Sequence, residues 1–183
     1  MTRPFTALPL LLLLGQAAPA GADEPGPPPW AATVRAGVFV LRSPGVTGHP
    51  VGPDLELSLG RTIYDLVSVE VNGGAYTVEL TGTGTRLTVV PLTVSLKLTA
   101  APEHGFEAYG VVGFGASWTR LSGGALASTP ISQVAYHAGL GVRRRFGPTW
   151  YAGLDGRFVF QDASAPLGRI DGLQLSALAG TLF

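Results

Sequence analysis

The sequence predicts an all-β fold, an eight-stranded antiparallel up-and-down transmembrane β-barrel, and three observations carry that expectation. Apolar residues recur at every second position along runs of about 9–11 residues, the length a tilted strand needs to cross a bilayer. The face opposite the bulky residues is thin, built of Gly, Ser and Thr with one or two charges per run. The connections alternate between long and short, as a barrel with tight turns at one rim and extended loops at the other requires.

Composition agrees with a lipid-facing surface. The chain has 183 residues, 46% hydrophobic but only 13% charged, with 12 basic and 12 acidic side chains. Soluble domains average about 25% charged residues, so half the usual surface charge is missing. With zero formal net charge there is no basic excess to displace counterions from phosphates, which excludes a nucleic-acid partner. The absence of Cys removes disulfides, zinc–thiolate sites, haem attachment and a lipoprotein anchor.

Residues 1–22 read as a signal peptide: Arg3 gives a positive start, residues 8–14 an apolar core broken only by Pro9, and Ala20-Gly21-Ala22 a small-residue cleavage site. Cleavage is expected between Ala22 and Asp23. Residues 23–31 begin with Asp23-Glu24-Pro25-Gly26-Pro27-Pro28-Pro29 and read as a stiff Pro-rich linker with no apolar face to bury. The barrel is expected over residues 32–183.

The first run, residues 32–41, sets Val34, Ala36, Val38 and Val40 against Thr33, Arg35, Gly37 and Phe39. After a loop at residues 42–53, Leu55, Leu57 and Leu59 alternate with Asp54, Glu56, Ser58 and Gly60. A short turn leads to Val67, Val69 and Val71 against Ser68, Glu70 and Asn72, and a fourth run sets Leu92, Val94, Leu96 and Leu98 against Thr93, Ser95 and Lys97. In the fifth, Val112, Phe114, Ala116 and Trp118 oppose Tyr109, Val111, Gly113 and Gly115; in the sixth, Tyr136, Ala138, Leu140 and Val142 oppose His137, Gly139, Gly141 and Arg143. The seventh places Trp150, Ala152, Leu154, Phe158 and Phe160 against Tyr151, Gly153, Asp155 and Arg157, and the eighth covers residues 173–183. Each is a strand by its period.

Between the third and fourth runs the alternation continues but changes phase. After Gly73-Gly74 the apolar set becomes Tyr76, Val78 and Leu80, the chain turns at Gly82-Thr83-Gly84, and the phase shifts back at Val90-Pro91. Two slips at similar height read as β-bulges on a long hairpin that projects beyond the outer rim. Its exposed edge either adds to another protein's sheet or belongs to a loop without a partner.

Aromatics mark both rims. Trp30, Tyr64, Phe106, Phe146, Trp150 and Phe183 fall at the short-turn ends, and Phe39, Trp118, Tyr136, Phe158 and Phe160 lie toward the other, as interfacial girdles do. The signal peptide, the eight alternating runs, the Tyr109-Gly110-Val111-Val112-Gly113-Phe114-Gly115 segment and the terminal Phe183, preceded by Leu175, Ala177, Ala179 and Thr181, together resemble the small outer-membrane β-barrel proteins of Gram-negative bacteria, the OmpA, OmpX and OmpW type. That resemblance covers nearly all of the chain after the signal peptide. It implies the bacterial outer membrane as location, outer-membrane lipid as surroundings and Phe183 as the terminal aromatic read by the barrel-assembly machinery. Thr181 departs from the aromatic the family prefers at that position. A monomer is expected.

By parity, Arg35, Glu56, Glu70, Lys97, Glu107, Arg143, Asp155 and Arg157 point into the lumen, where mixed charges must pair or neutralise. They are expected to form an ion-pair core that fills the barrel; lining a narrow polar path is the alternative. Arg61 and Arg144 fall on the lipid parity near the short-turn ends, where Arg reaches water. Two functional classes follow. One is a structural or surface-interaction, adhesion-like protein acting through its extracellular loops and projecting hairpin, with an extracellular protein as the partner; the other is a narrow passive channel for ions or small solutes. Some barrels that resemble this chain modify lipid A, but His49 lies in a loop, His104 in a turn, and His137 faces inward with no Ser two residues on, Ser132 being the nearest hydroxyl in sequence. No catalytic residue, cofactor or metal site is expected.

Overall fold

The computed structural model describes residues 30–43, 48–64, 66–100, 105–124, 131–162 and 169–183. The expected signal peptide, the cleavage point between Ala22 and Asp23, linker residues 23–29 and His104 lie outside the described residues. Eight strands follow in order: β1 (Trp30–Leu41), β2 (Val51–Tyr64), β3 (Val67–Leu80), β4 (Thr85–Thr99), β5 (Phe106–Ser122), β6 (Ile131–Phe146), β7 (Trp150–Asp162) and β8 (Arg169–Leu182). Each pairs antiparallel with its sequence neighbours, and β1 closes on β8 to make a barrel. Closure removes every sheet edge, which is the condition for burying a sheet in lipid.

The period-two pattern places its bulky members outward. Val34, Leu57, Val71, Leu92, Leu140 and Leu154 are exposed on the wall, where lipid rather than water is the compatible solvent. Tyr64, Phe106, Phe146, Trp150 and Phe183 are exposed at the short-turn end, and Trp118 and Tyr136 toward the other.

Several strands run further than the alternation indicates. Trp30 and Ala31, expected as the end of the linker, belong to β1. Trp30 N–H donates to the Phe183 carbonyl at 3.1 Å, and Phe183 N–H returns a bond to Trp30 at 3.0 Å, so the two chain ends seal the seam. Residues 51–53, expected as loop, pair with β1 from Val51↔Val40 to Pro53↔Val38, and β8 starts at Arg169 rather than at residue 173. Gly52, Pro53 and Gly172 at these ends blur the pattern, yet the adjacent strand supplies hydrogen bonds that favour extension.

The phase changes between β3 and β4 are not bulges. Pairing keeps one register from Val67↔Leu98 through Gly73↔Leu92 and Tyr76↔Val89 to Leu80↔Thr85. Glu70, Asn72, Tyr76, Val78 and Leu80 therefore all face the lumen, and all are buried. What changes at Gly73-Gly74 is the chemistry of the interior, from polar to apolar, while the backbone runs on. Nor is the hairpin a free arm: β4 is paired with β5 from Arg86↔Ser122 to Thr99↔Tyr109. The opposite flank is covered by β2, since a Cβ added at Gly52 would overlap the Thr77 carbonyl. A true register shift does occur elsewhere, between Thr62 and Tyr64 where β2 meets β3.

Phe39 is also corrected. Instead of joining an interfacial girdle it is fully buried, stacked on Tyr76 with ring centroids 4.1 Å apart. Both residues belong to a buried cluster with Leu41, Val78, Leu87 and Ile170 at the long-connection end of the lumen. Gly172 makes room, because a Cβ there would strike the Phe39 ring.

Candidate functional site: the filled lumen and its outer rim

The lumen is built in three storeys, each assembled from inward positions on different strands. At the short-turn end Tyr109, Tyr151, Leu178 and Leu182 pack together. Beside them Glu107 receives Arg143 Nε at 2.6 Å and is also paired with Arg145. The Arg143 guanidinium lies 4.7 Å from the Tyr151 ring centroid, and the Tyr151 hydroxyl shares a 2.5 Å hydrogen bond with Thr33.

The middle storey is an ion-pair network centred on Arg35. Its Nη1 donates to Glu56 at 3.0 Å and to Ser58 at 2.9 Å, and its Nη2 donates to Glu70 at 3.2 Å. Asp155 lies 3.7 Å from its Nε. Arg157 bridges the same carboxylates, with Nη1 at 3.0 Å from Glu56 and Nε at 2.9 Å from Asp155. Lys97 completes the set on Glu70, and the Tyr109 hydroxyl donates to Asp155 at 2.8 Å. Three cations thus face three carboxylates, none of them more than 6% exposed. Stripping water from such groups is expensive, and only dense mutual pairing offsets it.

Six of the eight inward charges therefore meet in one network, while Glu107 and Arg143 form a separate cluster nearer the short turns. Neighbouring polar groups belong to the same storey but were not among the sequence candidates. Asp54 accepts from Gln174 at 3.2 Å and Ser176 at 3.3 Å. Ser95 accepts from Asn72 at 2.7 Å and shares a 2.9 Å hydrogen bond with His137 Nε2. The hydroxyl that meets His137 is thus Ser95, 42 residues away in sequence, while Ser132 is exposed on β6. Parity alone could have added Asp54 and Arg145, which share a face with Glu56 and Arg143. The Ser95–His137 pair had no local signal, because its members are brought together only by the β4–β5–β6 pairing.

Above the ions, Gln133 donates to Thr119 and, at 3.1 Å, to Gln161, and Gln161 donates to the Tyr76 hydroxyl. Beyond them lies the buried apolar cluster around Phe39 and Tyr76. Between the ion layer and this cluster there remains a cavity of about 10 Å³, beside Glu56, Tyr76, His137 and Gln174, room for about one water molecule.

At the long-connection rim the β3–β4 turn forms an open recess of about 630 Å³ with the end of β5, lined by Glu79, Leu80, Gly82, Arg86, Ser122 and Gly123. Gly82 and Gly84 take positive φ values of 78° and 61°, which lets the chain reverse there without Cβ strain. The exposed Arg86 and Glu79 pair at 2.8 Å across the hairpin; such a solvated pair contributes little. On the outer wall near the short turns, Arg61 lies over Trp30 at 5.5 Å, and Arg144 lies over Phe106 at 5.3 Å and Phe146 at 5.7 Å.

Solved structures share this architecture. The neisserial surface protein A superposes with a TM-score of 0.72 at 15% identity, covering 84% of this chain and 97% of that one. Ail, the attachment invasion locus protein of Yersinia pestis, gives 0.53 at 11% identity over 84% and 98%. The outer membrane protein OprG of Pseudomonas aeruginosa gives 0.51 at 14% identity over 88% and 99%. At such identities the likeness concerns the fold. No curated protein matches the chain. Residues 6–163 match the family described as outer membrane protein beta-barrel domain, so this eight-stranded barrel, greasy outside and ionic within, belongs to that family of the outer membrane.

Proposed function

We propose that this protein is a non-conducting, non-enzymatic outer-membrane scaffold whose role is carried by its external surface, the loops and the β3–β4 turn serving as contacts for an extracellular partner. The observation that supports it is the filled lumen: an ion-pair storey and an apolar cluster lie in series, with a cavity of about 10 Å³ between them. Eight strands leave interior room for side chains alone, and here the side chains use it. The Ser95–His137 pair sits inside the same packed layer, with Ser95 1% exposed, where no substrate reaches it. The recess beside Gly82 and Gly123 is open to water and offers both charge and backbone groups.

Planar-bilayer recording tests the reading. Purified, folded protein is expected to give no discrete conductance steps at physiological salt. A steady open level reproduced across preparations would replace the scaffold with a narrow channel, and a mass shift of lipid A on expression would point to an enzyme.

A further inference from the structure

We propose that the outer wall between β4 and β8 holds an anionic phospholipid of the periplasmic leaflet, one acyl chain lying in a groove beside Leu140 and the phosphate against Arg144. The groove measures about 570 Å³ and is lined by Leu96, Leu98, Val112, Leu140, Phe158 and Leu173. It exists because Gly110 and Gly156 flank Leu140 across the sheet, Gly110↔Leu140 on one side and Leu140↔Gly156 on the other. Leu140 consequently stands free, 74% exposed.

The barrel itself does not require these two glycines. At Gly37, Gly115, Gly153 and Gly172 an added Cβ would overlap backbone or ring atoms, so packing explains them. At Gly110 and Gly156 the nearest atoms would be Leu140 Cδ2 at 3.7 Å and Leu175 Cδ2 at 3.5 Å, ordinary van der Waals contact. Gly weakens a strand interior and often marks a bulge, a tight bend or the close approach of a ligand; the register runs unbroken through Gly110 and Gly156, so neither marks a bulge.

Arg144 selects the occupant. It lies four positions below Leu140 on β6, on the same lipid-facing parity, which at about 3.4 Å per residue is about 14 Å along the strand and about 10 Å in depth for a tilt near 40°. Its guanidinium is held between Phe106 and Phe146, and no carboxylate pairs with it among the described residues, whereas Arg143 and Arg145 on either side share Glu107. A cation at headgroup depth over an apolar furrow is complementary to a phosphate with its chain. A second copy of the barrel fits less well, since a two-fold axis along the membrane normal through this face would bring two Arg144 side chains together.

The test uses the barrel in phosphatidylcholine bilayers with chain-spin-labelled phosphatidylglycerol or phosphatidylcholine as probes. Wild type is expected to show a motionally restricted component that favours phosphatidylglycerol several-fold. Arg144→Gln is expected to equalise the two lipids, and Gly110→Val with Gly156→Val to reduce restriction of both. Heat-dependent mobility on SDS gels verifies folding. If the valine pair fails to fold, the alanine pair, whose methyls fit, replaces it. Equal restriction of both lipids by wild type, unchanged restriction in the folded groove-filled protein, or efficient disulfide dimerisation of Leu140→Cys would each overturn the proposal.

Discussion

Replacing Arg35 with methionine is expected to destabilise the folded barrel by about 3–5 kcal/mol, the range for removing one partner from a buried ionic network. Arg35 is the cation shared by Glu56, Glu70 and Asp155, so its loss leaves three buried carboxylates facing only Arg157 and Lys97. The excess negative charge, more than the lost contact, is the origin of the effect. A second substitution isolates it. In Arg35→Met with Glu56→Gln, Lys97 retains Glu70 and Arg157 retains Asp155, so each remaining carboxylate of the network keeps a cation. The double variant is expected to recover most of the loss in reversible urea unfolding in bilayers. If it is as unstable as the single variant, the damage lies in packing and the charge argument fails.

Phe39→Ala is expected to cost about 3–5 kcal/mol, as for other buried aromatic truncations, yet to leave the barrel electrically silent. The ring is fully buried and stacked on Tyr76, and Gly172 beside it carries no side chain that could refill the space. The same unfolding assay measures the cost. Silence is the more informative half, because the ion network below the apolar cluster still spans the lumen from β1 to β7. Discrete conductance in Phe39→Ala would mean that the apolar cluster is the sole seal and that the ionic storey is open to hydrated ions.

The eight runs and their outward face were legible because alternation is a local property. Leu55, Leu57 and Leu59 cannot all face one way unless the chain is extended, and a face so bulky against one so thin can only be turned to lipid. The same parity placed Arg35, Glu56, Glu70 and Arg157 inside. It could not say that Glu70 would be shared by Arg35 and Lys97, since those contacts join β1, β3 and β4, nor that Ser95 would meet His137. Around Gly73-Gly74 the pattern was visible and its meaning was not. A slip of the apolar phase looks the same whether the backbone bulges or the interior changes solvent character, and only the unbroken β3–β4 pairing separates the two.

From the amino-acid order alone came the barrel, its strand number and the sidedness of its wall, because each depends on residues two apart on one strand. Tertiary structure decided that Phe39, Tyr76 and their neighbours pack together in the upper lumen, that six of the lower charges form one network while Glu107 and Arg143 stand apart, and that Gly110 and Gly156 leave a furrow around Leu140. Those features depend on which residues face one another across strands and across the bore, and that is set by register and closure.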